Sequence, residues 1–259
     1  MILYVVITHR PPDEVRAHLE DFARVLPGRR VVVCYGGTRE DFDVLDIPAE
    51  KLFIEDPTLR QRIGQSYTSM LGLLHDRLVG PEPALRYLHL IEWDHVVLDP
   101  AYEAQLLDLM SDQHVGLLAK ACADHTGVNW CHSIDLIDDG ELRELLEDIS
   151  VRDQDIPSIW GGLGNGMTIS RSALEEFCRR AGGLSRYNEA YVPTVVYHLG
   201  YRVIDAPQSA SLFDHLRFGP DYELDEAVGL AGAGALALHP VKDPAVRREL
   251  LSAVPAEPS

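Results

Sequence analysis

An α/β fold, with a mostly parallel central sheet and helices on both faces, is predicted by three features of the sequence. Residues 2–7, 30–35 and 87–91 are short apolar runs rich in β-branched side chains, the mark of strands buried on both sides. Stretches with apolar residues at helical spacing fall between them, and that alternation produces crossover connections and a parallel, Rossmann-like sheet. No repeat, linker or low-complexity block interrupts the 259 residues. One domain over residues 1–250, followed by a frayed tail at 251–259, is expected.

Taken in order, the first strand is stopped by Pro11 and Pro12, and Asp13 is suited to cap a helix reaching about Val25. Val15, Leu19 and Phe22 mark its apolar face. The second strand ends at Gly36-Gly37, and residues 57–79 read as one long helix. Residues 87–91 form a strand closed by Glu92-Trp93-Asp94; residues 96–98 continue extended, and Pro100 opens a helix to about Met110. Further strands are expected at 115–119, 166–170 and 201–204, with helices at 139–149, 171–180 and 188–199, the last despite Pro193. Residues 213–237 carry glycines and little pattern, which suits a lid.

Apolar residues make up 46% of the chain, enough for a sizeable core. With 23 Lys+Arg against 41 Asp+Glu, the formal charge is −18. Such a field repels nucleic acid and anionic membrane surfaces. It also repels a nucleotide substrate, unless a bound cation inverts the local sign. The four cysteines, Cys34, Cys122, Cys131 and Cys178, lack metal-site spacing and read as buried free thiols in a reducing compartment. Residues 1–7 are too short for a signal peptide, and no stretch approaches the roughly 20 apolar residues of a membrane span. A cytoplasmic location is expected.

The segment richest in chemistry is the end of the 87–91 strand. Ligands of open α/β sheets collect at the carboxyl ends of strands, and there Glu92 and Asp94 sit two residues apart. In extended chain both point to one side. Two like charges held together are costly unless a cation lies between them, and carboxylate oxygens suit Mg²⁺ or Mn²⁺.

An apolar strand entering an acidic-x-acidic triplet resembles the Asp-x-Asp element of GT-A fold nucleotide-sugar-dependent glycosyltransferases. Three later features look like the same family: the glycine-rich stretch Gly161-Gly162-Leu163-Gly164-Asn165-Gly166, Asn188-Glu189 at the head of a helix, and His239-Pro240-Val241-Lys242. The ordered set spans nearly the whole chain, although Glu92 stands where the family commonly has Asp. The resemblance implies a UDP- or GDP-sugar donor, a divalent metal (Mn²⁺ or Mg²⁺), and a glycan, lipid or small-molecule acceptor. Asp94, His239 and Glu92 would hold the metal. Donor contacts would come from Thr8, His9, Arg10, Arg62, Glu92, Trp93, Gly161, Gly162 and Lys242. Glu189 would be the general base, with Asp153 and Asp155 as further candidates.

Rival readings differ in the turn they require after the first strand. A dinucleotide oxidoreductase needs a G-x-G-x-x-G turn there, and Thr8-His9-Arg10-Pro11-Pro12 contradicts it. A sugar nucleotidyltransferase would carry a glycine-rich basic loop at the same place. A glycoside hydrolase would use paired carboxylates without metal, and a non-catalytic nucleotide- or carbohydrate-binding protein can share the fold.

Overall fold

The computed structural model describes residues 1–55, 67–152, 157–184 and 186–253. Strands run in chain order as β1 (Ile2–Thr8), β2 (Arg30–Tyr35), β3 (Glu50–Phe53), β4 (Tyr87–Glu92), β5 (Val96–Val97), β6 (Val115–Leu118), β7 (Ala123–Asp124), β8 (Trp160–Gly161), β9 (Thr168–Ser170), β10 (Arg202–Ile204) and β11 (Ala237–Leu238). Seven of them form one sheet in the order β10-β6-β9-β4-β1-β2-β3. All pairings are parallel except those of β9, which runs antiparallel to β4 and β6.

Alternation along β1 explains why both sheet faces are covered. Leu3, Val5 and Ile7 enter one apolar layer together with Leu88, Leu90 and the Asn188–His198 helix. Tyr4 and Val6 enter the opposite layer, against Val15, Leu19 and Phe22 of the Pro12–Val25 helix. At roughly 1.5–3 kcal/mol for each large side chain taken out of water, these two layers hold the sheet rigid at its centre. The mixed α/β class follows directly.

This topology also sets the position of the site. The chain leaves β1 toward β2 on one side and returns to β4 on the other, so the carboxyl ends of β1 and β4 flank a topological switch point. Because β9 runs the other way, the glycine-rich segment entering it lies at that same edge. The two-residue β5–β11 pairing, Ala237 with Val97 and Leu238 with Val96, delivers His239 there as well.

Several local expectations need correction. The Pro12–Val25 helix has Pro11 at its N-cap and no side-chain cap; Asp13 sits in its first turn, where a carboxylate complements the helix dipole instead. The described part of the 57–79 helix is α-helical over Tyr67–Leu74 and then widens to a π-helical turn over His75–Val79. Residues 213–237 are not a structureless lid. They contain the Leu224–Gly232 helix, and Phe213, Leu216, Tyr222 and Ala227 are buried in the core. The last helix runs through Ala253 with Leu251 buried, past the expected boundary at 250. Cys131 is exposed and Cys178 half-buried, so only Cys34 and Cys122 behave as core thiols. The Asn188–His198 helix does accommodate Pro193. Among the described residues, no helix is long and apolar enough to cross a membrane.

Candidate functional site

An open cleft of about 410 Å³ lies at the carboxyl ends of β1 and β4, a size typical of small-ligand sites. It collects Glu92, Trp93 and Asp94 from the end of β4, His9 from the end of β1, Leu163 and Asn165 from the glycine-rich segment, Asn188 and Glu189 from a helix start, and His239 and Lys242 from the segment after β11.

The acidic triplet is pinned by its backbone. Glu92 N–H donates to Asn165 Oδ1 at 2.9 Å, and the Glu92 carbonyl accepts from His95 N–H at 3.0 Å. Trp93 N–H donates to the Ile7 carbonyl at 3.1 Å, and its own carbonyl accepts from Arg247 Nη1 at 2.8 Å. The Asp94 carbonyl accepts from Val241 N–H at 2.9 Å. Strand β1, the glycine-rich segment and the C-terminal helix thereby hold the triplet in one conformation, the preorganisation a ligand-binding constellation requires.

From that backbone three side chains converge. His239 Nε2 lies 3.3 Å from Asp94 Oδ1 and 3.6 Å from Glu92 Oε2, and one ligand atom from each of the three falls within 4.8 Å of the others. The Asp94 and His239 side chains are 4% and 7% exposed, against 23% for Glu92, so Glu92 forms the open side. Two further details suit a divalent cation. His239 Nδ1–H donates to the Arg217 carbonyl at 2.9 Å, which turns Nε2 toward the carboxylates; metal-binding histidines are oriented in this way. Asp94 Oδ1 is buried and faces His239 Nε2 at 3.3 Å. Neighbouring ligands on an octahedral ion with bonds of about 2.1 Å stand about 3 Å apart, close to the separations found here.

Electrostatics agree with this geometry. Burial opposes positive charge on His239, but the carboxylates of Asp94 and Glu92 outweigh it and lift the imidazole pKa to about 9. A cation is favoured at this point even though it is removed from water.

Glu189 stands on another wall of the cleft, 7% exposed. Its Oε1 accepts from Gly164 N–H at 2.8 Å and its Oε2 from Tyr187 Oη–H at 2.6 Å. Gly162 N–H donates to its backbone carbonyl at 2.9 Å. Burial raises the Glu189 pKa and the Glu92 charge adds to this, while the two donated hydrogen bonds oppose it. Each oxygen keeps a lone pair beyond these bonds.

The remaining sequence candidates divide. His9 lines the cleft with its ring edge toward Trp93; burial and the Arg10 charge lower its pKa. Lys242 also reaches the cleft, with its ammonium 2.9 Å from Asp221 Oδ1. Thr8 and Arg10 line a smaller pocket of about 60 Å³ that shares Trp93 and Lys242 with the cleft. There the Arg10 guanidinium stacks 4.6 Å over the indole and pairs with Glu14. Gly161 and Gly162 do not line the cleft: a Cβ on Gly161 would strike Trp130 at 2.4 Å, and one on Gly162 would press Ala119 at 3.0 Å. Their lack of a side chain serves packing. Trp130 packs on His125, and Trp160 stacks on Tyr197. Arg62, Asp153 and Asp155 lie outside the described residues.

Four cleft-related residues carry no role that the sequence pattern assigns. Asn165 lies inside the glycine-rich stretch and Asn188 at the helix head, where the neighbouring residues draw the eye, and Tyr187 precedes them in a helix approach. Arg247 acts on Trp93 across 154 positions, a separation no local pattern reveals.

No protein-family model matches the chain, and no curated protein matches it. Among solved structures, it is similar to the mannosyltransferase PcManGT from Pyrobaculum calidifontis in complex with GDP-Man and Mn²⁺, at 13% identity and a TM-score of 0.47. The similarity covers 80% of this chain and 55% of that one, so this chain spans little more than half of that protein's length.

Proposed function

We propose that this chain is a metal-dependent glycosyltransferase of one GT-A-like domain, taking a UDP- or GDP-sugar as donor and passing the sugar to an acceptor hydroxyl. One observation carries the reading: Glu92, Asp94 and His239 present ligand atoms within 4.8 Å of one another at the switch point of the sheet, in a cleft that also contains Glu189.

Glu92, Asp94 and His239 would hold the divalent ion, which when bound supplies Lewis-acid neutralisation of a diphosphate leaving group. A chain of formal charge −18 thereby gains a local site for an anion. Trp93 and His9 border the same space and orient the nucleotide. Glu189 takes the proton of the acceptor hydroxyl, with Gly164 N–H and Tyr187 Oη–H fixing its carboxylate for the transfer. The Arg247 clamp keeps the triplet from relaxing when charge develops. We place the protein in the cytoplasm, with no nucleic-acid partner.

A thermal-shift series of UDP, GDP and their sugar conjugates, with and without Mn²⁺, tests the proposal. A specific ligand raises the melting temperature through mass action, by about 2.7 kcal/mol of stability at a hundred times its Kd. Slow release of nucleoside diphosphate, abolished by chelator and by Asp94→Asn, is the expected turnover. No shift with any nucleotide, with or without metal, refutes it.

A further inference from the structure

Phe218 forms part of the cleft wall and is 75% exposed, the most exposed large apolar side chain among the described residues. A lone apolar residue on open surface is ordinary, but this one stands in the cleft that holds Glu92, Asp94 and His239. Phe213, Leu216 and Tyr222, its aromatic and aliphatic neighbours along the chain, are all buried. The backbone beneath Phe218 is fixed. Arg217 N–H donates to the His239 carbonyl at 2.9 Å, and the Arg217 carbonyl accepts from His239 Nδ1–H at 2.9 Å. The Arg217 guanidinium donates to the carbonyls of Pro220 at 2.7 Å and Asp221 at 3.2 Å, and lies 3.6 Å over the Tyr222 ring. Residues 217–222 are thereby fastened beside the segment that carries His239. The other large aromatic rings of the cleft are engaged: Arg10 stacks over Trp93, and Tyr187 stacks on His132 with ring centroids 3.6 Å apart. Phe218 has no ring or cation partner among the described residues.

We propose that the Phe218 ring is a stacking platform for the C–H face of a sugar ring. Two properties of the cleft select that chemistry. A phenyl face offers apolar contact and the negative side of its quadrupole, without a hydrogen bond. Its ligand must therefore present a flat apolar face of weakly positive C–H groups. The cleft also holds three carboxylates, Glu92, Asp94 and Glu189, which accept hydrogen bonds from hydroxyls and repel anionic groups. A pyranose ring meets both demands, with C–H groups on its face and hydroxyls at its rim. Phe218 is thus an affinity determinant that touches the substrate and leaves the metal alone. It rests on the proposed glycosyltransferase function only for which molecule carries the ring.

The experiment is isothermal titration, in the presence of MnCl₂, of wild type, Phe218→Ala, Phe218→Leu and Phe218→Trp. The probes are UDP, GDP, UDP-glucose, GDP-mannose, and methyl α-D-glucopyranoside and methyl α-D-mannopyranoside titrated with UDP or GDP saturating and without nucleotide. Phe218→Leu keeps apolar area without a flat ring, and Phe218→Trp keeps the ring. For the nucleotides the readout is the ratio of affinities for sugar-bearing and sugar-free probes, which cancels any general effect on the metal; for the glycosides it is the affinity itself. Sugar binding is expected to weaken about tenfold in Phe218→Ala and in Phe218→Leu, or ~1.4 kcal/mol. It should be retained in Phe218→Trp, with Mn²⁺ affinity unchanged throughout. A fall in the nucleotide-sugar ratio supports the platform and seats the donor sugar on it. A fall confined to the glycosides supports it and seats the acceptor. Glycoside binding that depends on Phe218, with no nucleotide binding, supports the platform and refutes the nucleotide-sugar reading. Nucleotide binding with a ratio and glycoside affinities that Phe218→Ala leaves unchanged overturns the platform and leaves the proposed function standing. Equal losses for UDP, GDP and their conjugates would seat a nucleobase there instead and overturn it. Full retention in Phe218→Leu, or wild type that gains nothing from any sugar, also overturns it.

Discussion

Arg247 Nη1 donates to the carbonyl of Trp93 at 2.8 Å, tying the C-terminal helix to the middle residue of the acidic triplet. The guanidinium is almost fully buried, pairs with Asp21 at 3.0 Å and touches His18 Nδ1. Removing one partner of a buried ion pair leaves the other charge uncompensated, at about 3–5 kcal/mol. Arg247→Met is expected to lower unfolding free energy in urea by about 3 kcal/mol and to loosen Mn²⁺ binding. Asp21→Asn combined with Arg247→Met should recover much of the stability and none of the metal affinity.

Glu189→Gln keeps the shape and removes the base. Turnover should fall at least ~100-fold, with the Kd for nucleotide sugar within about threefold of wild type. A comparable loss in binding would make Glu189 a binding group.

Tyr187→Phe deletes a hydrogen bond that favours the Glu189 carboxylate. The Glu189 pKa, already raised by burial, then rises further. A base must be deprotonated, so the acid limb of the kcat profile should move to higher pH. An unmoved limb would separate Glu189 from the rate-limiting proton transfer.

How much of this was legible depended on how local the cause was. The β1, β2 and β4 strands were readable because apolar runs with no polar face have few alternatives. That Asp94 lies in the cleft was legible from a short acidic triplet at a strand end, while Glu189 and His239 were pointed to by the family resemblance and meet it there. Gly161 and Gly162 fall outside the cleft lining: glycine serves close packing as readily as ligand approach, and here Trp130 and Ala119 take the space. Arg247 and the antiparallel β9 depend on contacts between distant segments, which no window along the chain contains.

The buried histidines predict an acid-labile core. Burial lowers the His89 pKa from 6.5 to about 3, and that of His18 well below its usual value. Below pH 6.5 the unfolded chain binds protons that the folded chain refuses. Stability should therefore fall as pH drops, by about 1.4 kcal/mol per unit per histidine. Glu189, with its raised pKa, acts in the opposite sense at lower pH. Urea unfolding between pH 7 and 5 should show this slope, reduced by one proton in His89→Gln.

Direct titration of Mn²⁺ into the protein, followed by electron paramagnetic resonance of the free ion, bears most directly on the account. Wild type should take up one Mn²⁺, and Asp94→Asn and His239→Gln should each weaken it at least ~10-fold while melting within a few degrees of wild type. Wild type that binds no Mn²⁺, or variants that bind it equally well, would contradict the metal-centred reading of the cleft.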